Sequence, residues 1–317
     1  MYCRMIRGGY LRANGEMACY CGPGEEVTLA QVPTDHTNFN FIEDIYKNGP
    51  HQNVRDNMQR SVLPYPSICL KCFYLDPFGQ HQMEKFSSEI EWMHMEATSM
   101  CNLRCSFCIP MDERPKFRKK PHYIPRAMYE KIIDDIVAAG MNLKWSYFSG
   151  RGEPGLHRDL WTMVKYAKDR LDTNFLVNTN GNINFNELIV ESGLDKIKIA
   201  IDGVDQEKYA SYRRGGKIQR LFDLTSSIVE HRNKLGVKNP WIIWQYVVFS
   251  HNDSEDELRR IQEIATDLGV DQLLFVNTYT ANYSNVDFDS IPRIHPNVEF
   301  KDVKSTVSLS VKARTAA

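Results

Sequence analysis

From Glu91 onward, short apolar runs alternate with amphipathic stretches, and this alternation restricts the possible folds more than any other feature. Strands are expected at residues 91–97, 144–149, 174–178, 195–201, 241–249 and 271–276. The first of these is apolar apart from His94 and Glu96. Helical spacing separates the strands. Pro125-Arg-Ala-Met128 opens a helix with Ile132, Ile136 and Val137 on one face and Gly140 at its end. Residues 157–170 turn Leu160, Val164 and Ala167 inward, and a short helix is expected around 185–191. A longer helical stretch carries Leu221, Leu224, Ile228 and Leu235. Ser254-Glu-Asp-Glu257 reads as a capping box ahead of Leu258, Ile261, Ala265 and Leu268. Six βα repeats imply a parallel sheet joined by right-handed crossovers. Eight would close a TIM barrel; six leave it open, so the expected fold class is α/β with a partial (βα)6 TIM-like barrel.

Directly after the first strand stands Cys101-Asn-Leu-Arg-Cys105-Ser-Phe-Cys108, a C-x3-C-x2-C spacing. Thiolates are the preferred ligands of iron–sulfur clusters, and a 4Fe–4S cube takes four. Three close together hold three irons and leave the fourth open to an outside donor. A zinc site or buried free cysteines are the alternatives, although zinc knuckles usually pair their cysteines and need four ligands. The octet resembles the cluster loop of the radical S-adenosylmethionine (SAM) superfamily, in which an aromatic residue such as Phe107 before the last cysteine is typical.

That resemblance implies an open partial barrel and roles for residues at the strand C-termini. Ser149-Gly-Arg-Gly152-Glu153-Pro154 is similar to the family's Gly-Gly-Glu-Pro motif, which binds the SAM amino group, with Arg151 in place of the first glycine. Asn180, in Asn178-Thr-Asn180-Gly181, has polar groups for SAM or substrate, or simply forms a turn. Asp202 follows Ala200, where relatives often carry serine, and is a candidate to face the substrate. Relatives use an arginine on the SAM carboxylate, and either Arg213 or Arg214 suits a bidentate fork. Gln245 interrupts an apolar strand and is expected to need a buried partner, a SAM hydroxyl or a core backbone group. The family's chemistry is reductive cleavage of SAM to methionine and a 5′-deoxyadenosyl radical, which abstracts hydrogen from an unactivated C–H bond. An electron donor such as flavodoxin or ferredoxin is implied as a partner.

Residues 1–75 are expected to form a separate α+β unit, joined by a linker at 76–90 to a barrel at 91–280, with a tail at 281–317 that shows no periodicity. Gly9-Tyr-Leu-Arg-Ala13, Asn14-Gly15 and Glu16-Met-Ala-Cys-Tyr20 read as a hairpin whose returning strand carries Cys19 and Cys21. Short helical segments follow near 41–46 and 51–60, then Pro64, Pro66 and Cys69-Leu-Lys-Cys72. A unit so small and rich in turns struggles to build a core without a staple, and a metal is the natural one. Cys3, the hairpin, Ile45-Tyr-Lys-Asn-Gly-Pro50, Arg55 and the Cys69/Cys72 pair resemble the SPASM/twitch domains. Those bind an auxiliary 4Fe–4S cluster beside a radical SAM core, usually after it and not before. Their hairpin cysteine falls five residues after the turn glycine; Cys19 is four after Gly15 and Cys21 six, so both remain candidates. A four-cysteine zinc site built from Cys19, Cys21, Cys69 and Cys72 is the alternative.

Composition narrows the function classes. The 317 residues are 42% apolar and 25% charged with a formal net charge of −1, so no global basic field points to nucleic acid. Met1-Tyr-Cys-Arg-Met-Ile-Arg7 is no apolar signal segment, and the run at 241–249 is too short to span a bilayer. A cytoplasmic, reducing location is expected, where clustered cysteines read as metal ligands. The run Arg114-Pro-Lys-Phe-Arg-Lys-Lys120 is a solvated face or a lure for an anionic substrate. The expected substrate is a small polar molecule, a sugar, aminocyclitol or nucleotide sugar, oxidised or otherwise epimerised or dehydrated at one carbon. A peptide-modifying maturase and an iron–sulfur electron carrier are the rival readings.

Overall fold

A computed structural model describes residues 2–19, 27–33, 38–70, 72, 75–76, 88–108, 121–278 and 284–301. Cys21, the basic run at 114–120 and the chain beyond 301 lie outside the described residues. Contacts divide the chain into two compact units, Met1–Met100 with Pro115–Leu176, and Cys101–Arg114 with Val177–Ala317.

The first unit contains Tyr2–Cys3 (β1), Gly8–Leu11 (β2), Glu16–Ala18 (β3), Thr28–Gln31 (β4), Gly49–Gln59 (α1), Pro66–Cys69 (α2) and Leu75–Asp76 (β5). It continues through Glu89–Met95 (β6), Arg126–Ala138 (α3), Asn142–Phe148 (β7) and Leu160–Lys168 (α4). Its main sheet runs β7-β6-β2-β3-β4. Strands β6 and β7 are parallel, in the register His94↔Tyr147. Strand β2 also pairs in parallel with β6, Tyr10 opposite His94. The N-terminal hairpin therefore extends the same sheet, and the compact units do not divide the chain at residue 75.

The hairpin turns at Asn14-Gly15, as the Asn-Gly pair predicts. Gly15 alone takes the left-handed region, φ +84°, and the loop closes through Gly15 N to Arg12 O and Arg12 N to Glu16 O, both 2.9 Å. In α3 the inner face is Met128, Tyr129, Ile132, Ile133 and Ile136. Val137, expected on that face, is 42% exposed, because one residue past Ile136 turns about 100° away from the core stripe. Gly140, φ +62°, ends the helix as expected. A second, smaller core joins Ile6, Val27, Leu29, Val54 and Met58, with Cys3, Cys19 and Cys69 packed against it.

The second unit holds the cysteine loop and the second half of Asn174–Thr179 (β8), which begins in the first unit. It continues through Leu188–Glu191 (α5), Lys196–Ala200 (β9), Gln206–Tyr212 (α6), Ile218–Leu235 (α7), Trp241–Val248 (β10), Glu255–Asp267 (α8), Gln272–Asn277 (β11) and Val298–Lys301 (β12). The strand order is β12-β11-β10-β9-β8, with β9 through β12 mutually parallel. Strand β12 falls in the tail for which no element was expected. One face of the sheet buries Ile197, Ile199, Ile242, Trp244, Tyr246, Leu273 and Phe275. Trp244 on that face donates its indole N–H to Thr225 Oγ1 of α7 at 3.1 Å. Ser254 caps α8 by accepting from Glu257 N, as the capping box predicts. Both units are α/β; β9 through β12 of the second are parallel, whereas in the first β7-β6-β2 is parallel and β2-β3-β4 and β1-β5 are antiparallel. No helix among the described residues is long and apolar enough to cross a membrane.

Candidate functional site

The cysteine loop has little secondary structure of its own, so its shape is set by partners elsewhere in the second unit. Arg104 N donates to Arg214 O at 3.0 Å and Ser106 N to Tyr212 O at 2.9 Å, which clamps the loop to the end of α6. Cys108 N closes a turn on Cys105 O at 3.1 Å. Of the three cysteines, Cys101 and Cys105 are partly buried and Cys108 is exposed. Phe107 packs between Tyr212 and Phe249, with ring centroids 5.6 and 5.3 Å away.

Two polar assemblies reach the sulfurs. Asn180 Nδ2 lies 3.8 Å from Cys101 Sγ and donates to Asn102 Oδ1 at 2.8 Å. Asn102 in turn donates to Asn182 O, and Asn182 to Tyr209 Oη, both at 2.7 Å. Asn180 is thus a brace of the cysteine loop within this network. Asn102, Asn182 and Tyr209 carried no motif signal beyond the position of Asn102 beside the first cysteine.

The other assembly is an ion pair. Arg213 Nε donates to Asp202 Oδ2 at 2.5 Å, and Arg213 Nη1 sits 3.9 Å from Cys105 Sγ. Asp202 is fully buried and also accepts from Val247 N at 2.7 Å. Burial pushes the Asp202 carboxyl up, and Arg213 pulls it back. Burial also disfavours the Arg213 charge, yet Asp202 beside it holds the guanidinium pKa above its ordinary value. The Cys105 thiol is pushed up to about 11 by burial, against the pull of Arg213. Arg213 is therefore committed to Asp202 and Cys105, whereas Arg214 is exposed. Gln245 was expected to need a buried partner. It is partly exposed instead, because it alternates away from the buried face carrying Trp244 and Tyr246, and so its amide can reach water.

The Ser149–Pro154 motif lies in the first unit. At Gly152 a Cβ would stand 1.9 Å from the Thr98 carbonyl oxygen, so only glycine allows this approach. Glu153 N donates to Met100 O at 2.7 Å. The Glu153 carboxylate, 2% exposed, accepts from Gly155 N at 2.9 Å and caps the tight turn Pro154–Leu156. Glu96, a residue the sequence marked only as a break in a strand, accepts from Arg151 N at 3.0 Å and fixes the glycine-rich edge.

Also in the first unit, Cys3, Cys19, Cys69 and Cys72 line one cavity with Ile6, Val27, Leu29, His51, Val54, Met58 and Tyr65. Burial raises the Cys19 and Cys69 thiols, and the neighbouring cysteines add to it. Four thiols among mostly apolar walls form a donor set that suits iron and sulfide. On the cysteine loop the three thiols likewise suit an iron–sulfur cluster with an open position.

The Radical SAM superfamily model matches residues 95–263. The GTP 3′,8-cyclase of Chlorobaculum tepidum is 30% identical over 142 residues, 44% of this chain and 41% of that protein. The tungsten-containing aldehyde ferredoxin oxidoreductase cofactor-modifying protein of Pyrococcus furiosus is 26% identical over 191 residues, 59% of this chain and 51% of that one. The chain spans about half the length of these curated relatives. Among solved structures, Streptococcus suis SuiB bound to S-adenosylmethionine is similar with a TM-score of 0.49 and 13% identity, over 93% of this chain and 70% of that one.

Proposed function

The chain belongs to the radical SAM superfamily, and on that premise we propose that it oxidises a small polar substrate, a sugar, aminocyclitol or nucleotide-linked sugar, at one carbon. The observation that carries this reading is the loop of three cysteines held by Tyr212, Arg214, Asn180 and Arg213. Cys101, Cys105 and Cys108 would hold the catalytic 4Fe–4S cluster. When bound, that cluster and SAM supply a 5′-deoxyadenosyl radical able to take hydrogen from an unactivated carbon. The protein's own work is orientation. In the second unit, Arg214 offers an exposed fork to the SAM carboxylate. Arg213 and Asp202 hold the Cys105 side of the loop in place.

The four cysteines lining the first unit's cavity would hold an auxiliary 4Fe–4S cluster, as in SPASM/twitch domains. Four protein ligands close the coordination, which suits electron transfer rather than substrate binding. Cys19 rather than Cys21 is proposed as the hairpin ligand, since it lines the cavity with Cys3, Cys69 and Cys72.

A second reading, ring closure on a nucleotide, draws support from the similarity to GTP 3′,8-cyclases. Product mass separates the readings. Oxidation removes two hydrogens, and an internal ring closure that returns the hydrogen leaves mass unchanged. A product modified on a peptide would favour the maturase alternative. Reconstituted chain should carry roughly eight irons, and the Cys101/Cys105/Cys108→Ala variant about four. About four in the unmodified chain would contradict the auxiliary cluster.

A further inference from the structure

The cavity shared by Cys3, Cys19, Cys69 and Cys72 is also lined by His51, whose Nε2 has no hydrogen-bond partner among the described residues. His51 of α1 is 2% exposed and lines that cavity. Its Nδ1 faces Arg55 Nη2 at 3.2 Å. A guanidinium has N–H donors and no lone pair, so Nδ1 must accept. The single proton of the neutral ring is then on Nε2. Arg55 is held in this role from several sides. Its Nε donates to Ile6 O at 3.3 Å, its Nη1 donates to Tyr46 O at 2.6 Å, and the guanidinium lies 4.2 Å over the Tyr46 ring. His51 Nε2–H is therefore a fixed, buried donor, and it meets no acceptor among the described residues. Buried donors in folded proteins are rarely left unmatched, and apart from the Tyr65 hydroxyl the cavity's other walls are apolar side chains and thiols.

We propose that His51 Nε2–H donates a hydrogen bond to a sulfur of the iron–sulfur cluster held by Cys3, Cys19, Cys69 and Cys72, and thereby raises its reduction potential. The inference rests on the auxiliary-cluster reading above. An N–H aimed at a cluster sulfur stabilises the more negative, reduced state. His51 is a positioning residue here and not a ligand. Ligation through Nε2 would need the lone pair of the nitrogen that carries the proton, and would move that proton to Nδ1, where Arg55 already donates.

The test uses the full chain with Cys101, Cys105 and Cys108 replaced by alanine, so that the auxiliary cluster is observed alone. Redox titration followed by electron paramagnetic resonance should give a lower midpoint potential for His51→Phe. His51→Gln should stay near the parent, because its amide can accept from Arg55 and still donate into the cavity. Unchanged potentials in both variants overturn the inference. Should His51→Phe fail to fold, ¹⁵N-histidine labelling of the parent decides. A weak ¹⁵N coupling transmitted through the hydrogen bond is expected, while no coupling, or the strong coupling of a directly bound imidazole, overturns it. A parent that binds no iron removes the auxiliary-cluster reading itself, and this inference with it. Bound iron with neither a potential shift nor a weak coupling removes this inference alone.

Discussion

Replacing Asp202 by asparagine tests how the Cys105 side of the loop is held. The Asp202 side chain is 0% exposed and Arg213 12%, so their ion pair is out of water. In the parent Arg213 Nε donates to Oδ2 and Val247 N to Oδ1; asparagine keeps one acceptor oxygen, so the charge and one of these two hydrogen bonds are lost. Removing one member of a buried pair strands the other, at about 3–5 kcal/mol. Arg213 keeps the Cys105 sulfur at 3.9 Å and the Tyr212 ring at 5.1 Å, which places the expected cost at the low end, about 3 kcal/mol. With a urea slope of about 1–3 kcal/mol per molar, the unfolding midpoint should fall by roughly 1–3 M. Tryptophan fluorescence reports it, because Trp244 is fully buried in the same unit. The double variant Asp202→Asn/Arg213→Met should recover to within about 1 kcal/mol of the parent, since replacing a whole buried pair by apolar groups is often neutral. An asparagine variant as stable as the parent, or a double variant no better than the single, would refute this reasoning.

Gly152→Ala should destabilise the chain by about 1–3 kcal/mol, because the new methyl meets the Thr98 carbonyl at 1.9 Å; an unchanged urea midpoint would contradict it. Arg214→Ala should weaken SAM binding by about 1.5–3 kcal/mol, roughly 10- to 150-fold in Kd by calorimetry, and an unchanged Kd would assign the carboxylate elsewhere. Burial, and then Arg55, hold the His51 pKa down to about 3 against its ordinary 6.5. Between those values the unfolded chain binds a proton that the folded chain does not, so stability is full above pH 6.5 and falls as pH drops. At pH 5 the cluster-free chain should have lost roughly 2 kcal/mol on this account, at about 1.4 kcal/mol per pH unit, and His51→Gln should show a flatter acid limb in urea titrations.

The six strands after Glu89 were legible because apolar runs bounded by turn residues need only local sequence to be seen. Strand β12 was not legible. Val298-Glu-Phe-Lys301 is four residues long and gains its place by pairing with β11. The parallel pairing of β2 with β6 joins residues some eighty positions apart, and nothing local signals it. At the site, the cysteine spacing and the glycine-rich motif were visible as local patterns. What individual side chains do there depends on partners distant in sequence. Arg213 and Arg214 are adjacent and chemically alike, yet Asp202 claims one and leaves the other exposed. Glu153 is occupied locally by Gly155 N, and Asn180 by the loop it braces. His51 carried no motif at all, and only the burial of its ring beside four cysteines singles it out.

The central claim is that Cys101, Cys105 and Cys108 hold the cluster at which SAM is cleaved. Reconstituted chain incubated anaerobically with SAM and dithionite should form methionine and 5′-deoxyadenosine, measured by chromatography and mass spectrometry. The Cys101/Cys105/Cys108→Ala variant should form neither while retaining iron on the first unit's cysteines. Formation of 5′-deoxyadenosine by that variant, or none by the unmodified chain carrying its full iron, would contradict the account.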